Sequence, residues 1–219
     1  QSGTIMLMGD MQSGTVNVGG TLDASGPNGG NGGFIETSAA HVNIASNALV
    51  TTMAPMGRTG TWLIDPQDFT IGSAPGNNIT GATLSNLLIT NSVIISTNIG
   101  TDGSVAGTPP VSSRFSTTPG NGDINVNEAV SWTATPSPTT LTLNAARDVN
   151  INRAITATNG NLVVCCGRDV NVNAAITTTN GSVLLSAGNN VNIVRTTVSV
   201  PQNDSTLTAM STTDGNMTI

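Results

Sequence analysis

This 219-residue chain contains no lysine and no tyrosine, has one histidine, and carries aromatic residues at only 2%. Charged residues make up 8% of it, where ordinary globular domains carry about a quarter. All six strongly basic side chains are arginines, the net charge is −6 and the pI is near 4.3. No basic stripe exists to neutralise phosphates, so nucleic acid is excluded as an expected partner. No apolar run approaches the ~18 residues of a membrane helix, so membrane insertion is not expected. His41 stands alone, and the two cysteines are the adjacent pair Cys165–Cys166. A Ser-His-Asp relay or a zinc site therefore lacks material, and no cofactor is expected. The chain opens on Gln1, without an initiator methionine or signal peptide, as expected of a segment cut from a longer protein.

What the chain does have is repetition. Arg147-Asp148-Val149-Asn150-Ile151-Asn152 recurs as Arg168-Asp169-Val170-Asn171-Val172-Asn173, and Asn189-Asn190-Val191-Asn192-Ile193 begins it again. The step is 21 residues from Asp148 to Asp169 and from Asp169 to Asn190. Downstream, Asn159-Gly160 and Leu162-Val163-Val164 fall in phase with Asn180-Gly181 and Val183-Leu184-Leu185. A period of this length marks a solenoid. Inside each unit apolar residues alternate: Val149, Ile151, Leu162 and Val164 point one way, Asn150, Asn152 and Val163 the other. Period two means strands, and Gly/Asn/Asp turns separate them.

A 21-residue unit has no room for a crossover helix. The expected fold is therefore all-β: a parallel β-helix with coils of about 21 residues, interrupted by one short helix and by loop excursions. Stacking places Val149, Val170 and Val191 in one inward ladder and Ile151, Val172 and Ile193 in another. Asn150, Asn171 and Asn192 form an outward amide ladder, each side chain able to bond its neighbours.

The stretch 34–71 carries a resemblance. Gly32-Gly33-Phe34-Ile35-Glu36-Thr37-Ser38, His41-Val42-Asn43-Ile44 and Gly57-Arg58-Thr59-Gly60-Thr61-Trp62-Leu63-Ile64-Asp65-Pro66-Gln67-Asp68-Phe69-Thr70-Ile71 occur in order. Later come Gly122-Asp123-Ile124-Asn125-Val126-Asn127 and Val130-Ser131-Trp132. Together, over roughly residues 15–193, this resembles the two-partner-secretion exoproteins, the filamentous-haemagglutinin-like adhesins of Gram-negative bacteria. Its most specific part is Trp62–Ile71. The resemblance implies a right-handed parallel β-helix, secreted to the cell surface or beyond through an outer-membrane transporter of the two-partner type. The family's amino-terminal secretion domain is missing from this stretch of chain, so transporter recognition is not assigned to it.

Read as chemistry, Trp62-Leu63-Ile64-Asp65-Pro66 puts Trp62 and Ile64 on one face, and Pro66 ends pairing because it lacks an N–H. Asp65 and Asp68 flank the turn, where a carboxylate caps backbone more readily than it catalyses. Their spacing could also suit an acid/base or metal pair, but no other acidic or histidine motif supports one. The glycine-rich 27–33 stretch reads as a turn, lacking the aspartate of calcium-binding repeats and the helix and lysine of a phosphate cradle.

Residues 72–121 interrupt the repeat between β-helix coils at 1–71 and 122–219. Leu84, Leu87 and Leu88 predict one short helix over about 80–88, capped by Thr80 and laid against the solenoid's side. Val93-Ile94-Ile95 resumes as a strand, and the Gly/Pro/Ser/Thr-rich 100–121 reads as a protruding loop. A second excursion is expected at about 194–211. Trp132 is expected to fill the core beside a bulge at 134–139. Thr212-Thr213-Asp214-Gly215-Asn216-Met217-Thr218-Ile219 repeats the Thr-Thr-Asn-Gly-Ser-Val pattern 34 residues on from 178.

Alternation turns Cys166 to the core and Cys165 to solvent, making Cys165 a candidate for an intermolecular disulfide in a secreted protein. Sequons at Asn78, Asn180, Asn203 and Asn216 are no more than chance supplies in a chain this rich in Asn and Thr. The functional expectation is a non-catalytic, rigid rod of a surface adhesin or fibre mediating adhesion, aggregation or biofilm contacts. Host surfaces, glycans or sister fibres would be its partners. The alternatives are a self-assembling extracellular filament subunit or, less favoured, a carbohydrate-active β-helix enzyme, which would need clustered carboxylates that this chain scatters among turns.

Overall fold

A computed structural model describes residues 3–97, 120–194, 196–200, 209–210 and 216–218. Most of the 100–121 loop, and residues 195, 201–208 and 211 of the second excursion, lie outside these. Successive coils each contribute one strand to each of three walls. The chain runs β1 (Thr4–Met8), β2 (Thr15–Val18), β3 (Thr21–Asp23), then β4 (Phe34–Ser38), β5 (His41–Ile44), β6 (Leu49–Thr51). Next come β7 (Thr61–Asp65), β8 (Phe69–Ile71) and helix α1 (Gly81–Leu88), which stands where the third strand would. The following coil is β9 (Ser92–Ser96), β10 (Ile124–Val126) and β11 (Val130–Thr133). The 21-residue repeats supply β12 (Thr139–Ala145), β13 (Val149–Ile151), β14 (Ile155–Thr158), β15 (Gly160–Cys166), β16 (Asp169–Val172) and β17 (Ile176–Thr179). The last elements are β18 (Val183–Ala187), β19 (Asn190–Ile193), β20 (Val198–Ser199), β21 (Ala209–Met210) and β22 (Asn216–Thr218).

Every strand pairing is parallel. The first wall is an eight-stranded sheet in the order β1-β4-β7-β9-β12-β15-β18-β21. Seven steps of about 4.8 Å make that wall about 34 Å long. The second wall holds β2-β5 and the six-stranded sheet from β8 to β22; the third holds β3-β6 and β11-β14-β17-β20. The fold is thus the expected parallel β-solenoid with a single short helix.

Register follows the repeat. Val149 pairs with Val170, Val170 with Val191, and Ile151 with Val172, all as inward ladders. Burial alternates strictly, with Leu141, Leu143, Leu162, Val164, Val183 and Leu185 inside. Asn159 and Asn180 adopt left-handed backbone (φ 53° and 52°), which explains the Asn-Gly turns, since Asn enters that region more readily than most side chains. β22 pairs with β19, which puts Met217 opposite Val191 in the second wall. β21 already occupies the first-wall place above Leu184 and Leu185, leaving the next segment to the second wall.

Helix α1 forms where predicted. Thr80 Oγ1 accepts from the Thr83 N–H (3.1 Å), satisfying one of the orphan donors of the first turn. Leu84, Leu87 and Leu88 are buried against the solenoid, and the helix packs beside β11.

Candidate functional site

The repeat builds ladders along the rod, and they differ from wall to wall. On the second wall, Asn150 Nδ2 donates to Asn125 Oδ1 (3.0 Å), Asn171 to Asn150 (2.9 Å) and Asn192 to Asn171 (2.9 Å). Asn152 donates to Asn127 and Asn173 to Asn152 beside them, both at 2.9 Å. The expected outward ladder of Asn150, Asn171 and Asn192 is therefore present. Its amides bond each other and hold the coils in register.

At the turn before this wall runs a carboxylate ladder. Asp68 accepts from the N–H groups of Asn121 and Asp123 (both 3.0 Å), Asp123 from Asp148 (3.2 Å), Asp148 from Asp169 (3.2 Å) and Asp169 from Asn190 (3.1 Å). Arginines fork onto the same acids: Arg147 onto Asp123 and Arg168 onto Asp148, each through Nε and Nη2. Burial opposes the charge of Asp148. The Arg168 fork and the Asp169 N–H outweigh it and hold that carboxyl below its ordinary value. Sequence reasoning identified the Arg-Asp repeat but not its pairing; the signal was Arg recurring one coil after an Asp, 24 residues on for Arg147 and 20 for Arg168.

The family-like motif is structural in its contacts. Trp62 and Ile64 are fully buried, and Trp62 Nε1 donates to Thr37 Oγ1 (3.2 Å). Leu63 faces outward and is half-buried, strand β7 ends at Asp65, and Pro66 is buried just past it. Asp68 caps backbone, accepting from the N–H groups of Asn121 and Asp123. Trp132 fills the core as expected, its Nε1 donating to Thr139 Oγ1 (3.0 Å) over Gly160.

Cys165 is exposed on the outer face of β15 between Asn144 and Ser186, while Cys166 is buried between Ala145 and Ala187. Burial pushes the Cys166 thiol up to about 11. His41 is exposed at the start of β5. Among the described residues no cluster of three or more His, Cys, Asp or Glu could hold a metal ion. No described helix is long and apolar enough to cross a membrane.

Two asparagines close breaks in the walls, a role the sequence did not reveal for either. Asn78 lies between β5 and β8: its Oδ1 accepts from Thr70 N (2.7 Å), its Nδ2 donates to Val42 O (2.9 Å), and its carbonyl accepts from Ile44 N (2.8 Å). Its amide is committed to the sheet, which removes Asn78 as a glycosylation acceptor in the folded chain. Asn91 does the same work between β6 and α1. Around that break a cavity of about 460 Å³ opens on the third wall, lined by Leu49, Val50, Thr83, Asn86 and Leu87 among others.

No family model, no curated protein and no solved structure matches this chain.

Proposed function

We propose that this chain is a non-catalytic, rod-forming segment of a secreted bacterial surface adhesin of the filamentous-haemagglutinin-like type. The observation that carries the reading is the stacking of amide and Arg–Asp ladders over residues 123–192 of a parallel solenoid. Each coil bonds the next through side chains as well as backbone, which makes a stiff spacer. The residue pattern over roughly 15–193, Trp62–Ile71 above all, supports the family assignment and with it export through a two-partner outer-membrane transporter. The rod's contacts would be host surfaces, glycans or sister fibres.

Self-assembly is the second reading: Cys165, exposed on the outer face of β15, offers a point at which sister chains could be linked.

The test is carried out in the producing bacterium. Immunogold labelling against this chain should mark the outer surface, and deleting the segment should lower attachment to cells or to a glycan array. Confinement to the cytoplasm, unchanged attachment, or turnover of polysaccharide by the purified chain would each overturn the adhesin reading. Electron microscopy separates the two forms: single short rods fit a stalk, ordered fibres fit self-assembly.

A further inference from the structure

The three walls pass from the second coil (β4, β5, β6) to the third (β7, β8, α1) in unequal ways. In the first wall β4 pairs directly with β7, in register from Phe34–Thr61 to Ser38–Asp65. The other two sheets stop there: β2-β5 and β3-β6 are separate two-stranded sheets among the described residues. In the second wall Asn78 and Ile79 take a strand's place between β5 and β8. Asn78 N donates to Thr70 O (3.0 Å), Gly72 N to Ile79 O (2.8 Å) and Ile44 N to Asn78 O (2.8 Å). The two coils thus lie one strand spacing apart in the first wall, about 4.8 Å, and two in the second, about 10 Å. In the third wall α1 fills the interval, and the Asn91 side chain joins Val50 O and Thr52 N of β6 to Leu87 O of the helix.

The amide ladder stops at the same level. Asn43 Nδ2 donates to Asn17 Oδ1 (3.1 Å) on one side, and the series resumes at Asn125 and Asn150 on the other. Thr70, in register with Asn125, stands where an asparagine would have continued it. The level is held by the β4–β7 ladder, the two asparagines and corner bonds such as Gln67 N to Ala40 O (3.2 Å). A shared core, with Val42 and Ile44 in one cluster with Phe69 and Ile71, adds to these. The later repeats are joined more densely. Between them every wall is paired, β12 with β15, β13 with β16 and β14 with β17, and the amide and Arg–Asp bonds run alongside.

We infer that this level is a yield plane built into the rod. Under tension or mild denaturant the coils β1–β6 come away as one unit, while the coils from β7 onward keep their fold. Opening at the plane breaks one strand ladder, the contacts of two asparagines and the corner bonds. Opening between the later repeats breaks three ladders and the side-chain bonds that run with them. Cooperative units separate where the fewest contacts cross. A rod built this way lengthens in one step before its repeat region is strained. The inference rests on the strand pairings and not on what the rod binds, so its test stands apart from that of the function proposed above.

The experiment is hydrogen exchange of the whole chain in increasing, sub-denaturing guanidinium, read by mass spectrometry of peptic fragments. Amides of β4–β6 should exchange together with those of β1–β3, through one opening, while β13 and β16 stay protected. Ile151→Val, a mild loss of volume at a buried position of β13, tells the two blocks apart. It should speed exchange of β13 and β16 about fivefold and leave that of β4–β6 unchanged, because the far block is still folded when the near one opens. Asn78→Ala should speed exchange of β4–β6 about tenfold or more. Exchange that recedes coil by coil from β1 with no break between β4 and β7 would overturn the inference. An Ile151→Val effect spread equally to β4–β6, or β4–β6 rates unchanged by Asn78→Ala, would do the same. The exchange of the unaltered chain and of Ile151→Val decides the matter if Asn78→Ala fails to fold.

Discussion

The side-chain amide of Asn91 stands in for a peptide group at the edge that β6 presents at Thr52. Its Oδ1 accepts from Thr52 N (2.6 Å) and Thr52 Oγ1 (2.9 Å), and its Nδ2 donates to Val50 O (2.9 Å) and Leu87 O (2.6 Å). Asn91 is fully buried. A carboxamide carries a donor and an acceptor, as a peptide does, so one side chain joins a strand edge to the end of a helix. Without it, the helix that replaces a strand would leave buried backbone groups unpaired.

Removal of Asn91 should therefore be costly. Asn91→Ala leaves Val50 C=O, Leu87 C=O and Thr52 N–H short of partners, and should destabilise the chain by about 3 kcal/mol or more. Asn91→Asp keeps the acceptor but turns a donor toward two carbonyls into a negative charge, and should be no better tolerated. Urea unfolding of both variants measures this; a loss below about 1 kcal/mol would show that water takes over the role.

Thr178 presents the opposite case. It is fully buried in β17, stacked on Ala157, and its hydroxyl is the buried side-chain polar atom without a hydrogen bond among the described residues. Thr178→Val keeps the shape and removes the unsatisfied group, so it should stabilise by about 1 kcal/mol. Thr177→Val, one residue away on the outer face, removes the hydrogen bond between Thr177 and Ser199 (3.1 Å) and should not stabilise. Equal effects at both positions would contradict the assignment.

The Arg168–Asp148 pair predicts an acid-sensitive rod. The folded carboxyl titrates below its unfolded value of about 3.9. Its stabilisation is thus complete above that pH and is lost as pH falls through the folded value. Asp148→Asn should lower stability at pH 7 and flatten the dependence below about pH 4. Parallel acid limbs for the two proteins would remove the pair from the account.

The two cysteines should separate by reactivity. In the native chain a maleimide should label exposed Cys165 and leave buried Cys166 untouched until denaturant is added, because burial holds the Cys166 thiol up at about 11. Mass spectrometry of the labelled peptides reads this directly. Under mild oxidation Cys165 should link two chains; only monomer on a non-reducing gel, with Cys165 still reduced, would sink that link.

Packing at Trp132 sets a last constraint. A Cβ on Gly160 would meet the Trp132 ring 2.6–2.8 Å away. Gly160→Ala should destabilise by about 1–3 kcal/mol through overpacking. Trp132 fluorescence during unfolding would report the change, and an unaltered midpoint would argue that the ring moves aside.

Much of this architecture was legible because it is periodic. A 21-residue step from Asp148 to Asp169 to Asn190, with apolar residues at every second position between, admits only short stacked strands. The Asn150–Asn171–Asn192 ladder and the sides taken by Cys165 and Cys166 follow from the same alternation. Thr80 and the Leu84/Leu87/Leu88 spacing were enough for α1, since capping and amphipathicity are local. A Thr-Thr-Asp-Gly match says what a turn looks like but not which wall it leads into; the pairing of β22 with β19 decides that.

Tertiary structure alone decided the rest. The partners of Arg147 and Arg168 lie one coil back, a distance that only stacking converts into a hydrogen bond. Asn78 and Asn91 look like ordinary loop asparagines until the strands they complete, 36 to 41 residues earlier, are brought beside them. The groove at β6 exists because a helix is wider than the strand it replaces, a fact of packing that no local pattern records. Local propensity and repeat spacing determine what each coil is; contacts across coils determine where the repeat is broken and what the break exposes.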